Sequence, residues 1–263
     1  MKLNTMKLYA KYFTMHLKSQ MQYKVSFFFT ALGQFLISFT ALLGVWFMFS
    51  RFNEVEGFTF PQVLLCFAVV LMSFSLAECF ARGFDVFPRM ISNGEFDRVL
   101  TRPRGEIFQV LASQIEFTRI GRLAQAVLIF CYAIPFGGVQ WNAGKIFTLF
   151  LMVICGSLIY FGLFLIYAAF SFFTIEGLEF MNILTDGSRE FGRYPFSVYG
   201  RGVLRFLTFI VPLALFQYYP LLYLLDLSQN PLYRFCPLLG LLFIIPAYAF
   251  WRFGLSRYKS TGS

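Results

Sequence analysis

Long apolar blocks, separated by short clusters of Lys, Arg, Gly and Pro, divide this chain into segments about as long as a membrane crossing. A helix spanning about 30 Å of hydrocarbon needs about 20 apolar residues. Six segments approach that template: Val25 to Phe49, Pro61 to Phe80, Leu123 to Phe136 behind a polar lead-in, Ile146 to Phe173, Val203 to Tyr219, and Leu238 to Phe253. The connections between them are too short for a second globular unit. The pattern predicts an all-α integral membrane protein, a single transmembrane domain over residues 1–263 with six transmembrane helices.

Three stretches depart from the spanning pattern. In residues 3–23, Leu3, Met6, Tyr9, Ala10 and Phe13 recur at spacings of three and four, with Lys7, Lys11 and Lys18 on another face. This is the pattern of a basic amphipathic helix lying in the headgroup region; the alternative is an extension of the first span. Between Val211 and Pro237 four prolines cut an apolar run into pieces too short to span. Broken helices at membrane depth are tolerated where protein or a cavity satisfies the freed backbone groups. Residues 212–232 are therefore expected to form a re-entrant hairpin on the outer face, marked by Pro212, Tyr218, Tyr219, Pro220 and Pro231; kinking of two ordinary spans is the alternative.

The third stretch, ISNGEFDRVLTRPRG from Ile91 to Gly105, is charged and short. Ser92 and Glu95 have the spacing of a capping box, which predicts a helix from about Asn93. Pro103 disfavours helical geometry at Arg102 and ends it after about two turns. Phe96, Val99 and Leu100 share one face, with Glu95, Asp97 and Arg98 around it. So short a helix is marginal alone in water and needs a surface to hold it. That surface is either the membrane or a groove on a partner protein. The acidic pair Glu95 and Asp97 disfavours an anionic leaflet.

Charge sets the orientation. Lys and Arg number 22, and nineteen of them fall at the N-terminus, between spans two and three, between spans four and five, and in the tail; only Arg51, Lys145 and Arg234 fall elsewhere. Basic loops stay on the cytoplasmic side, so both termini are expected inside. With only 13% charged residues against about 25% in a soluble domain, and no aromatic-interleaved basic patch, nucleic acid is excluded as a partner.

Candidate chemistry is sparse. The five cysteines are scattered and read as small buried side chains, and His16 is the single histidine. The N-terminal segment lacks the apolar core of a cleavable signal, so the first apolar run is expected to stay as a span. The nearest approach to a phosphate-binding loop, GVQWNAGKI from Gly138 to Ile146, has the wrong spacing and no Ser or Thr after Lys145. ATP hydrolysis therefore falls to another subunit. Glu116 and Arg119 are expected to form a local ion pair, Asp226 to face water, and no charge to sit at mid-membrane. That last expectation weakens the main rival, an ion-coupled secondary transporter; a channel subunit is weakened by the lack of a repeated filter-like segment.

The amphipathic N-terminal helix, six spans, the GEFDRVLTRP segment after the second span and the proline-broken region before the sixth resemble a type-2 (ABC-2) ABC transporter permease. EFGRYPFSVYGRGVLRFLTFIVPLALFQYYP, Glu190 to Pro220, is similar to the branch grouped with multidrug or viologen-type exporters. The resemblance covers nearly the whole chain. It implies that residues 93–102 are the coupling helix, with Gly94, Glu95, Phe96, Asp97, Arg98, Val99, Leu100, Arg102 and Pro103 facing an ABC ATPase subunit. It also implies a second permease, identical or related, the bacterial inner membrane, ATP and Mg on the ATPase with no cofactor on this chain, and outward movement of an amphiphilic, drug-like, peptide or lipid-like substrate.

Overall fold

A computed structural model describes residues 5–174 and 179–260. Helix α1 (Thr5–Met21) is separated from α2 (Lys24–Arg51) by a turn at Gln22 and Tyr23. The expected amphipathic helix is thus present over its described part, Leu3 lying outside the described residues. Its contacts reach protein: the Phe13 ring meets Phe117 edge-on at 4.8 Å, a His16 ring nitrogen lies 3.0 Å from the Ala112 carbonyl, and the Gln20 amide donates to Ile115 and accepts from the Phe117 N–H.

A two-residue turn joins the short antiparallel strands β1 (Glu54–Val55) and β2 (Phe58–Thr59); Glu56 and Gly57 both have positive φ, as such a tight hairpin requires. The chain then enters α3 (Phe60–Asp85), where the Gln62 side chain accepts the Thr59 N–H and closes the helix start. Val63 to Leu71 are buried without interruption. A helix apolar on all sides is one surrounded by others, and α3 packs between α7 (Ile120–Phe136) and α8 (Ala143–Phe170).

Between α3 and α7 lie three short helices, α4 (Phe87–Ser92), α5 (Glu95–Leu100) and α6 (Glu106–Ser113). They form a collar at the basic end of the bundle, beside α1. With α4 continuing α3, Phe60 to Ser92 make up 33 residues, about 50 Å of helix against about 30 Å of hydrocarbon. The excess carries the collar beyond the bundle's apolar belt. Close helix contacts require glycine at two places: a Cβ at Gly121 on α7 would strike the Ala31 carbonyl of α2, and one at Gly83 on α3 would strike the Val110 carbonyl of α6.

The second half is more broken. After α9 (Glu179–Asn182) and α10 (Asp186–Phe191) come a 3-10 turn at Phe196–Tyr199, then α11 (Gly200–Phe209), α12 (Leu213–Phe216) and α13 (Tyr218–Leu224). The last crossing, Pro231–Arg257, joins 3-10 segments to α14 (Cys236–Gly240) and α15 (Ile244–Arg257). The expected fifth span, Val203 to Tyr219, is not one helix. The chain bends by 92° between Phe196–Phe209 and Leu213–Leu224, because Pro212 supplies no N–H and disfavours helical geometry at Val211. Among the described residues five helices are long and apolar enough to cross a membrane, and six crossings result if the bent pair counts as one.

Candidate functional site

The charged segment singled out above forms the tip of the collar. Its helix starts at Glu95 and not at Asn93: Ser92 belongs to α4, where its hydroxyl donates to the Arg89 carbonyl, and the chain turns at Gly94 with φ of 68°. The Ser92–Glu95 capping box does not form, because a left-handed residue already ends α4 and starts α5 within one turn. Residue 94 has to be glycine for that geometry. Helix α5 ends at Leu100, ahead of Pro103, as expected.

The apolar face of α5 points into its own chain. Phe96 is 0% exposed and sits in an aromatic nest, with ring centroids 4.9 Å from Phe87, 5.6 Å from Phe172 and 5.2 Å from Tyr258. Val99 is also buried, whereas Leu100 is 45% exposed. Asp97 leaves the expected charged rim, for its carboxylate accepts from the Tyr258 hydroxyl at 3.0 Å and from the Ser260 hydroxyl at 2.6 Å. Partial burial and the Asp97 carboxylate push the Tyr258 phenol up to about 12, so this clasp stays protonated across neutral pH. What remains outward on and after the helix is Glu95, Arg98, Leu100, Thr101, Arg102 and Pro103. The segment is therefore a rigid knob, its inner face shared with α3–α4, α8 and the residues after α15.

Above the collar, Glu78 on α3 is 5% exposed and surrounded by cations. Arg119 approaches it at 2.9 Å, Arg122 at 2.6 Å and Arg82 at 3.7 Å; Arg82 also pairs with Asp85. The expected Glu116–Arg119 pair is replaced by this cluster. Glu116 instead accepts from the Thr118 hydroxyl, and its N–H donates to the Cys79 carbonyl, which turns Arg119 inward. One buried carboxylate thus ties the end of α3 to the start of α7.

Residues 186–199 also overturn an expectation. By charge, Arg189 and Arg193 belong to a loop at the basic end, and the pattern places no charge at mid-membrane. The segment packs along α3, with Asp186 and Phe191 exposed: Gly192 packs on Val70, and its carbonyl accepts from the Cys66 thiol at 3.7 Å and from the Gln217 amide at 3.1 Å. The Arg189 guanidinium lies 5.0 Å from the centre of the Phe74 ring, halfway along α3. Glu190 pairs with both Arg189, at 2.9 Å, and Arg193. These three side chains, with Ser38 and Thr40 of α2 and Phe67 and Leu71 of α3, line a cleft of about 200 Å³. A sequence signal for this existed. Val203 to Tyr219 is short for a crossing and carries Arg205 and Pro212, so a complete crossing has to recruit the residues before it.

The proline-rich region turns away at the opposite end. Pro212 precedes α12, Pro220 lies in the first turn of α13, and Pro231 opens a 3-10 segment. The Tyr219 ring meets Tyr218 edge-on at 5.4 Å and Tyr233 at a tilt at 5.2 Å. Its hydroxyl shares a 3.2 Å hydrogen bond with Thr208, closing the bend between α11 and α13. Asp226 faces water, as expected, and accepts from Lys145 at 2.6 Å, pinning the loop after α13 to the start of α8.

Compared with known proteins, residues 35–262 match a family model described as ABC-2 family transporter protein. No curated protein and no solved structure matches the chain.

Proposed function

The chain belongs to the ABC-2 transporter family, and from that premise we propose that it is the membrane-spanning subunit of an ATP-driven exporter whose ATPase is a separate chain. The family match over residues 35–262 carries the reading. It is a multi-pass membrane protein of a family whose members act as transport components. In this reading the outward edge of α5, with Glu95, Arg98 and Leu100, is the coupling surface. Closure of the ATPase pushes on α5, and because Phe96 is held between Phe87, Phe172 and Tyr258, the push reaches α3, α8 and the end of α15 together. Packed aromatic contacts transmit displacement because interiors are dense and barely compressible.

The basic end of the bundle faces the cytoplasm in this account. Moving Arg189 and Arg193 out of the loops leaves the excess of basic residues at that end intact. A second permease, identical or related, completes the path, and the cleft between α2 and α10 borders it. The proline-broken Pro212–Leu232 region is the outer re-entrant hairpin. The substrate is an amphiphile, drug-like, peptide or lipid-like.

A second reading, ion-coupled transport, is favoured by one observation: Glu190 is a carboxylate at half height, the kind of group such coupling employs. Proteoliposomes containing the chain and its cognate ATPase subunit separate the two. The exporter reading expects extrusion of a fluorescent amphiphile that needs ATP and survives collapse of proton and sodium gradients. Extrusion by the chain alone, driven by a gradient, would establish the second reading instead.

A further inference from the structure

The cleft of about 200 Å³ between α2, α3 and α10 carries more positive charge than its own acid balances. Glu190 serves both arginines at once: its Oε1 accepts from Arg189 at 2.9 and 3.2 Å, and its Oε2 pairs with Arg193. The other acid within reach, Asp186, lies 3.8 Å from Arg189, is exposed, and stands outside the cleft wall. Two cations therefore face one carboxylate, beside the middle of α2 and the Phe67–Leu71 part of α3. Ionisable groups at such a depth are costly to hold and mark paths for charged ligands. Arg193 is half-buried and meets Glu190 through a single Nη. A guanidinium has five N–H donors in a fixed plane, which leaves the second edge of this one for another oxoanion.

We propose that this cleft binds an amphiphile with one compact anionic headgroup, a carboxylate, sulfonate or phosphate ester, held by Arg193 and Arg189. Sites that enclose a whole drug-sized ligand measure about 300–1,000 Å³, so here the headgroup alone enters. Its alkyl chain leaves past Ile37, which is exposed at the mouth. Ser38 lines the α2 wall and adds a hydroxyl donor. Glu190 is the internal counter-ion that the headgroup displaces from Arg193. The cleft thus selects against cationic amphiphiles, which would leave two arginines uncompensated. That the bound anion is cargo rests on the exporter reading; the binding itself does not.

The test uses the full chain, without an ATPase, in nanodiscs of phosphatidylcholine. The probe is a tritiated long-chain alkyl sulfonate, whose charge does not titrate, read by scintillation proximity to the tagged protein. Binding is expected to saturate and to be displaced by the fatty acid and the alkyl phosphate of equal chain length. The alcohol and the trimethylammonium analogue should compete at least about tenfold more weakly, lacking the charge-assisted hydrogen bonds. Arg193→Gln should weaken sulfonate binding about tenfold, whereas Arg201→Gln, the same charge change at an exposed position of α11, should leave it unchanged. Glu190→Gln should tighten binding about threefold, the worth of a partly exposed ion pair, because the competing carboxylate is gone. Equal displacement by the alcohol, tighter binding of the trimethylammonium, or weaker sulfonate binding by Glu190→Gln protein of unchanged unfolding temperature would each overturn the proposal. The headgroup comparison needs no variant, so it decides even where a substitution unfolds the chain. Sulfonate binding by a chain that exports no amphiphile with its ATPase would keep the site and refute the exporter reading, and export without sulfonate binding would refute the site alone.

Discussion

A carboxylate buried among arginines is understood as a set, because removing either sign strands the other in a medium that solvates neither. Breaking such a pair from one side costs about 3–5 kcal/mol. Glu78→Ala should therefore lower the thermal unfolding temperature of the detergent-solubilised protein sharply, whereas Glu116→Ala, which breaks only a local bond to Thr118, should barely move it. Equal effects would mean that Arg119 finds its partner elsewhere. Phe96 makes a comparable case. On sequence grounds it lies, with Val99 and Leu100, on an apolar face meant for the membrane or a partner groove, and that face of α5 was legible. Which body that face covers was not, since Phe87, Phe172 and Tyr258 come from distant parts of the chain. Phe96→Ala empties a core site, with a cost of about 3–5 kcal/mol. The expected outcome is reduced abundance of the protein itself in a membrane immunoblot, and normal abundance would return Phe96 to the surface.

At the scale of the element, helices were legible where apolar runs are long and uninterrupted: α2, α3, α7 and α8 lie where the pattern places them. The failures fall where a local signal competes with a tertiary one. Ser92 and Glu95 have the right spacing for a cap, yet Gly94 between them takes positive φ and ends one helix just where the next begins. Arg189 and Arg193 look like loop residues by charge, yet Glu190 pairs with both and Arg189 lies against the Phe74 ring of α3. Contacts between elements leave a testable mark at Gly121. Adding one methyl there forces the Ala31 backbone away, and overpacking of this kind costs about 1–3 kcal/mol. Gly121→Ala should lower the unfolding temperature, while Gly202→Ala on α11, where a Cβ meets open space, should be tolerated. Equal tolerance at both positions would contradict the close α2–α7 contact.

For the whole molecule, the proposed reading, resting on the charge asymmetry, places the collar inside. A cysteine placed at Asn53, between α2 and α3, or at Asn142, ahead of α8, should react with an impermeant maleimide added outside intact cells, and one at Gly105, beside α5, should react only after the membrane is opened. The native cysteines are removed beforehand, since Cys131 is exposed. Labelling of Gly105 from outside would invert the account. The central claim is that the outward edge of α5 docks the ATPase, and Leu100 is its one half-exposed apolar side chain. The most direct measurement is recovery of the ATPase with tagged Leu100→Asp protein, alongside the amount of that protein in the membrane. Burying Leu100 in a partner groove contributes about 1–2 kcal/mol, so recovery should fall about fivefold to thirtyfold while abundance stays unchanged. Undiminished recovery of an ATPase that still hydrolyses ATP in the complex would contradict the claim.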